Sequence, residues 1–147
     1  MNPEATWPLK GTWYNELGSV MVIHPLNSAT QTVTGIYTSA VSSSGCAKGD
    51  YALVGRGDVQ NGGQTFGWTV CWRNDVAPPC NSTTSWSGKY LVVNGDQTIS
   101  ALWLVMMDTK DPADWASTYI GHDIFTRKPP SEEEVARALQ LKRPANP

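Results

Sequence analysis

Tryptophan recurs in this chain with a two-residue rhythm, and that rhythm points to β-strands with one aromatic face. In Phe66-Gly67-Trp68-Thr69-Val70-Cys71-Trp72 the side chains of Trp68, Val70 and Trp72 share a side, because successive residues of a strand face opposite ways. By the same parity Trp86 goes with Thr84, Trp13 with Asn15 and Trp103 with Val105. Five of the seven tryptophans thus fall on one alternating face. Large rings accompanied by a few aimed polar groups describe a deep apolar pocket for a small molecule better than an ordinary core.

Eight strand-like segments are expected, at about 11–15, 18–24, 31–39, 51–59, 64–73, 82–93, 97–107 and 117–126. Pro25-Leu26-Asn27-Ser28, Asn61-Gly62-Gly63 and Asn94-Gly95-Asp96 suit tight hairpins, and two longer loops span 41–50 and 74–81. Short, evenly spaced strands without intervening helices predict an all-β, eight-stranded antiparallel up-and-down β-barrel, in which closure removes exposed edges. A two-sheet sandwich fits the strand count nearly as well. The inward tryptophans favour the barrel, which has room for side chains or one small ligand. Residues 10–127 form the expected barrel domain, after an N-terminal extension over 1–9. A tail over 128–147 follows Lys128-Pro129-Pro130. In it, Ser131-Glu132-Glu133-Glu134 opens a short capped helix, so the tail is expected to be helical or disordered, with mobility favoured over packing on the barrel.

Composition excludes several functions. With 16% charged residues and a formal net charge of −2, no electrostatic footprint for nucleic acid is present. No apolar run is long enough to span a bilayer. The opening Met-Asn-Pro-Glu-Ala-Thr lacks a basic start and an apolar stretch, so any export signal was removed or never existed. Cys46, Cys71 and Cys80 show no metal-ligand spacing, and His24 and His122 are isolated from them in sequence; no metal is expected. Cys46 and Cys80 sit in loops, whereas Cys71 lies in a strand opposite the tryptophan face. A Cys46–Cys80 disulfide with Cys71 free is the simplest pairing and implies an oxidising compartment; three reduced thiols are the alternative. No nucleophile–base pair is evident, and His122 and Asp123, adjacent on a strand, face opposite ways, so an enzyme is not expected.

Extending each strand's parity gives an inward polar set of Asn15, Ser19, Tyr37, Ser39, Thr84 and Asp123. Asp123 is the most demanding member, because an unpartnered buried carboxylate is very costly. Two kinds of partner suit it: N–H groups of a ligand, or neighbouring side chains such as the Asn15 amide or a tryptophan N–H.

These residues carry a resemblance. Gly11-Thr12-Trp13-Tyr14-Asn15-Glu16-Leu17-Gly18-Ser19 resembles the opening strand of the avidin/streptavidin family of biotin-binding proteins. The similarity continues in order through 34–41, 67–72, 84–88, 103–105 and 121–126, covering roughly Lys10 to Arg127. It implies an eight-stranded barrel that holds biotin at its open end, with no cofactor beyond that ligand. By similarity Asn15, Ser19 and Tyr37 donate to the ureido oxygen, while Asp123 and Ser39 accept from the two ureido N–H groups. Thr84 meets the ring sulfur; Trp72, Trp86 and Trp103 wall the apolar body, with Val41 and Val105 filling gaps. Ser82 and the 42–44 loop, Ser43 included, hold the valerate carboxylate. Trp13 and Trp68 are read as structural. A lipocalin-like barrel binding another apolar ligand is the alternative.

Trp115 matches the family tryptophan lent to a neighbouring subunit's site, which implies a homo-oligomer, with a tetramer favoured over a dimer. The Cys46 and Cys80 loops resemble the disulfide-linked loops of dimeric bacterial avidins, consistent with a secreted or periplasmic protein. Asn81-Ser82-Thr83 also fits a glycosylation sequon, but a glycan there would obstruct the pocket mouth, and chance matches are frequent.

Overall fold

A computed structural model of the chain describes residues 8–40, 47, 49–58, 64–74, 80–108 and 118–141. Among them eight strands run in order: β1 (Gly11–Asn15), β2 (Val20–Ile23), β3 (Thr32–Thr38), β4 (Asp50–Gly57), β5 (Thr65–Asn74), β6 (Cys80–Val93), β7 (Asp96–Met107) and β8 (Thr118–Thr126). Helix α1 (Glu132–Leu141) follows. Each strand pairs antiparallel with the next, and β8 returns to β1 to close a barrel. The up-and-down barrel is therefore the fold, and the sandwich is excluded by the closure.

Alternation sets the interior. Along β3, Val33, Gly35 and Tyr37 point inward while Thr34 and Ile36 face solvent. The same parity buries Trp13, Met21, Ile23, Leu53, Phe66, Trp68, Val70, Ile99 and Phe125. Each fully buried large apolar side chain contributes roughly 1.5–3 kcal/mol. Phe66, Trp68 and Trp86 form a continuous stack, with successive ring centroids 4.7 and 5.3 Å apart. The Trp68 indole N–H, buried in that stack, has no hydrogen-bond partner.

One end of the barrel is plugged. The Trp13 Nε1 donates to the Leu9 carbonyl at 2.8 Å. The Arg127 guanidinium lies 3.8 Å from the Trp13 ring centroid and donates to the Thr12 and Pro8 carbonyls at 3.1 and 2.6 Å. Its Nε also donates to the Gln97 side-chain oxygen. Partial burial lowers the Arg127 pKa from its ordinary value.

The seam between β1 and β8 is short, running through Tyr14↔Thr126 and Asn15↔Phe125. Just past it, the Ile124 backbone N–H donates to the Glu16 carboxylate at 3.0 Å. A side chain there continues the ladder that the β1 backbone has ended.

Three local expectations need correction. The β2–β3 connection is longer than a tight turn at 25–28: the Asn27 side-chain oxygen accepts from the Ala29 and Thr30 N–H groups, and Asn27 bridges to Thr32. Asparagine builds such turns by bonding forward to its own backbone. Cys80 opens β6 rather than lying in a loop, because the β5–β6 ladder extends to Asn74↔Cys80. Finally, the tail is not simply loose. Ser131 and Glu134 exchange capping hydrogen bonds at the start of α1. Val135 and Ala138 are half-buried, and a Cβ placed on Gly18 would stand 3.8 Å from Val135 Cγ2, so the helix lies against the β1–β2 turn. The Asn94-Gly95 turn is as expected: both residues have positive φ, 50° and 84°, and Val93 pairs with Asp96 in a two-residue hairpin. The turn expected at 61–63 lies outside the described residues.

Candidate ligand-binding site

Away from the plug, the inner face changes character. Inward residues near Trp13 are fully buried, whereas Tyr51, Ser82, Trp103 and Val105 on the same inner face are half-exposed. The barrel thus opens into a well on the side opposite the plug. At the ends of β5, β6 and β7 an open depression of about 350 Å³ is lined by inner-face Trp72 and Ser82 and by outer-face Cys71, Thr83 and Met106.

Asn15, Ser19, Tyr37, Thr84 and Asp123 are all buried, and Ser39 is half-buried just past the end of β3. Parity brings them to the inner face, and burial among rings gives them their chemistry. The Asn15 side-chain oxygen accepts from the Leu17 and Ser19 backbone N–H groups at 3.0 and 2.9 Å. Those two donors identify the amide oxygen, which leaves its NH₂ as the group available to the well. The Ser19 hydroxyl accepts from the Ala40 N–H at 3.0 Å and keeps its proton to donate.

Tyr37 sits among three rings: Trp86 at 5.0 Å, Trp72 at 5.6 Å and Phe125 at 6.4 Å. Burial, then the nearby Asp123 charge, pushes its phenol far above the ordinary value; a Ser19 hydrogen bond works the other way, and Glu16 adds a smaller upward push. Tyr37 is therefore a neutral O–H donor at any ordinary pH.

Asp123 is held by the Trp86 indole, whose Nε1 donates to Oδ2 at 3.1 Å. Of the two kinds of partner the sequence left open, a tryptophan N–H is present in the barrel itself. A carboxylate's two oxygens can accept several such hydrogen bonds at once. Trp72 Nε1 donates to the Thr84 hydroxyl at 2.8 Å, fixing both the ring and the hydroxyl oxygen while leaving the Thr84 proton to point elsewhere. The Asn15 amide, the mutually hydrogen-bonded Ser19 and Tyr37 hydroxyls, a carboxylate and the oriented Thr84 hydroxyl thus share one aromatic enclosure. Such a set fits a compact, neutral head that offers both a strong acceptor and N–H donors.

Val41, Ser43, Cys46 and Trp115 lie outside the described residues, and of Cys80 only the backbone is described. Cys71 is an exposed free thiol on the outer face, near the Thr83 hydroxyl. Two residues escaped the sequence reading. Tyr51 packs edge-on to Trp72 at 5.0 Å and donates to the Arg73 carbonyl at 3.3 Å. The parity of Leu53 on β4 was a signal that would have found it. Glu16 carries no such signal, since it lies one residue past the inward Asn15.

A closed antiparallel barrel with a polar-floored, aromatic-walled well defines a class: barrels that bind a small molecule non-covalently. The chain belongs to the Avidin family, whose model matches residues 4–128. It is 34% identical to avidin of Gallus gallus over 123 residues, 81% of this chain and 77% of that one. It is 35% identical to afifavidin of Afifella pfennigii over 95 residues, 65% of this chain and 55% of that one. A solved biotin binding protein from chicken matches it with a TM-score of 0.71 and 32% identity, covering 82% of this chain and 96% of the other. These relationships do not favour the lipocalin-like alternative.

Proposed function

We propose that the well binds biotin non-covalently, with the fused ureido ring at its polar floor. The observation that carries this reading is Asp123, a buried carboxylate in contact with the Trp86 N–H and enclosed with Asn15, Ser19 and Tyr37. The ureido carbonyl accepts from the Asn15 amide, the Ser19 hydroxyl and the Tyr37 phenol. Asp123 and Ser39 accept from the two ureido N–H groups. Charge drawn from Asp123 through the ureido system toward its oxygen strengthens these bonds together. Thr84 donates to the thioether sulfur, and Trp72, Trp86 and Trp103 enclose the apolar body, with Val41 and Val105 beside it. Ser82 and Ser43 take the carboxylate at the mouth. The chemistry is binding, and sequestration of the vitamin is its proposed role.

The chain is further proposed to act as a homo-oligomer, a tetramer in preference to a dimer, with Trp115 lent to a neighbouring site. The exposed apolar outer face of β7 and β8, with Leu102, Leu104, Met106 and Ile120, supports association. A Cys46–Cys80 disulfide would tie the segment around Cys46 to the start of β6 and reduce the ordering cost on ligand entry, in a secreted or periplasmic setting. Peptide mapping under non-reducing conditions should find Cys46 linked to Cys80; a bridge through Cys71 would overturn that pairing. Calorimetric titration with biotin and with a plain fatty acid tests the function itself. Tight binding of biotin alone is expected, and preference for the fatty acid would overturn the reading.

A further inference from the structure

Trp103 does not stand out into the well as an inward side chain of a barrel ordinarily does. Its indole leans sideways across the sheet onto β8, over Gly121, its direct cross-strand partner. A Cβ built on Gly121 would clash with the ring, against Cζ2 and Cε2, with Cη2 at 2.8 Å. The neighbours in that clash are atoms of a rigid bicyclic ring rather than the end of a flexible chain. A small adjustment does not relieve it; the indole has to move to another rotamer.

Gly88 on β6 makes an instructive contrast. It also lies beneath a tryptophan, but a Cβ there would meet Trp68 Cζ3 at 3.1 Å and the Ala101 and Ile99 side chains at 3.4 Å. A few tenths of an ångström suffice at Gly88. At Gly121 the ring is seated on the backbone. The seat is also adjacent to the polar floor: Gly121 is two residues from Asp123 on the same face, and Trp103 is paired on its other side with Trp86, the donor to Asp123.

We propose that Gly121 sets the width of the well, because the absence of a side chain lets the Trp103 indole lie flat on β8 and leaves room for a bicyclic head beside Asp123. Gly121 is a positioning residue acting through Trp103, and it touches no reacting group. Any side chain at 121 turns the indole into the ligand's space. This inference rests on the biotin reading for the identity of the ligand, but the seat itself is a property of the barrel alone.

The test is a double-mutant cycle with two readouts, biotin affinity and the near-ultraviolet circular dichroism of the ligand-free protein. Gly121→Ala is expected to bind biotin about 10- to 100-fold more weakly, as overpacking of a formed site implies. It should also show an altered indole signal without ligand. On a Trp103→Ala background the same substitution should cost nothing further, because the ring it displaces is gone. Unchanged affinity in Gly121→Ala, or an equal loss in both backgrounds, overturns the proposal. Should Gly121→Ala fail to fold, the double variant is expected to fold; its failure would assign the glycine to the backbone and overturn the proposal as well. If the parent protein binds no biotin, the functional reading fails by itself. The ligand-free spectra then still decide the seat: an unchanged indole signal in Gly121→Ala overturns it, and a changed one upholds it.

Discussion

The two ends of the barrel use the same materials to opposite effect. At the plugged end, tryptophan, arginine and backbone carbonyls are joined so completely that they form a floor: the Trp13 N–H has the Leu9 carbonyl, and Arg127 reaches the Pro8 and Thr12 carbonyls while covering the Trp13 ring. In the well, the polar groups are fixed through particular atoms. The Asn15 oxygen is used by two backbone N–H groups and its NH₂ is not, the Thr84 oxygen accepts from Trp72, and Asp123 Oδ2 accepts from Trp86. The difference teaches how a receptor differs from a core. Polar groups that the barrel already holds in place need little further ordering when a ligand arrives.

If that division holds, substitutions at the two ends should separate affinity from stability. The largest effect is expected for Asp123→Ala, which should weaken biotin binding by about 2–5 kcal/mol, as for loss of a desolvated charged partner. Its unfolding free energy should change far less, and a calorimetric titration alongside urea unfolding would expose any failure of that split. Arg127→Met is the mirror experiment. It strips the Pro8 and Thr12 carbonyls of a charged donor and should lower stability by about 2–4 kcal/mol. Biotin affinity should be nearly unchanged, and a matching loss of affinity would show the two ends to be coupled.

A smaller effect comes from Tyr37→Phe, which removes one neutral donor and should cost about 0.5–1.5 kcal/mol of affinity. Tyr37 also sharpens the comparison through pH. Its phenol is raised in the folded barrel by burial and then by Asp123. The unfolded chain releases that proton near the ordinary value of about 10. Whatever stability the neutral phenol contributes is therefore complete below that pH and is lost as pH rises above it. The stability difference between the parent and Tyr37→Phe should drift in favour of the Phe variant above about pH 10. Denaturant curves at several alkaline pH values measure it, and a pH-independent difference would mean that the phenol is not protected.

Much of the site is legible from parity, because an alternating strand offers two faces and the tryptophans identify which one is covered. Asn15, Tyr37, Thr84 and Asp123 needed nothing more. Ser19 lies in the turn after β1 and depended on the family resemblance as well as on continued parity. Other features were hidden for different reasons. Glu16 belongs to neither face; it acts because β1 stops early and β8 still has an N–H to satisfy. Cys80 joined a strand because pairing with Asn74 extended the β5–β6 ladder into a stretch that reads as loop. The tilt of Trp103 depends on a neighbour eighteen residues away along the chain, and no periodicity encodes it.

By itself the chain's alternation determined the strands, the covered face and the residues presented to it, since a period of two is a local property of the backbone. Closure, and everything measured across strands, belonged to the tertiary structure. It selected the Trp86 N–H as the partner of Asp123, called on Glu16 to extend the seam, and laid the Trp103 ring on Gly121. Those outcomes depend on register and shape between distant segments, which come into being when the barrel shuts.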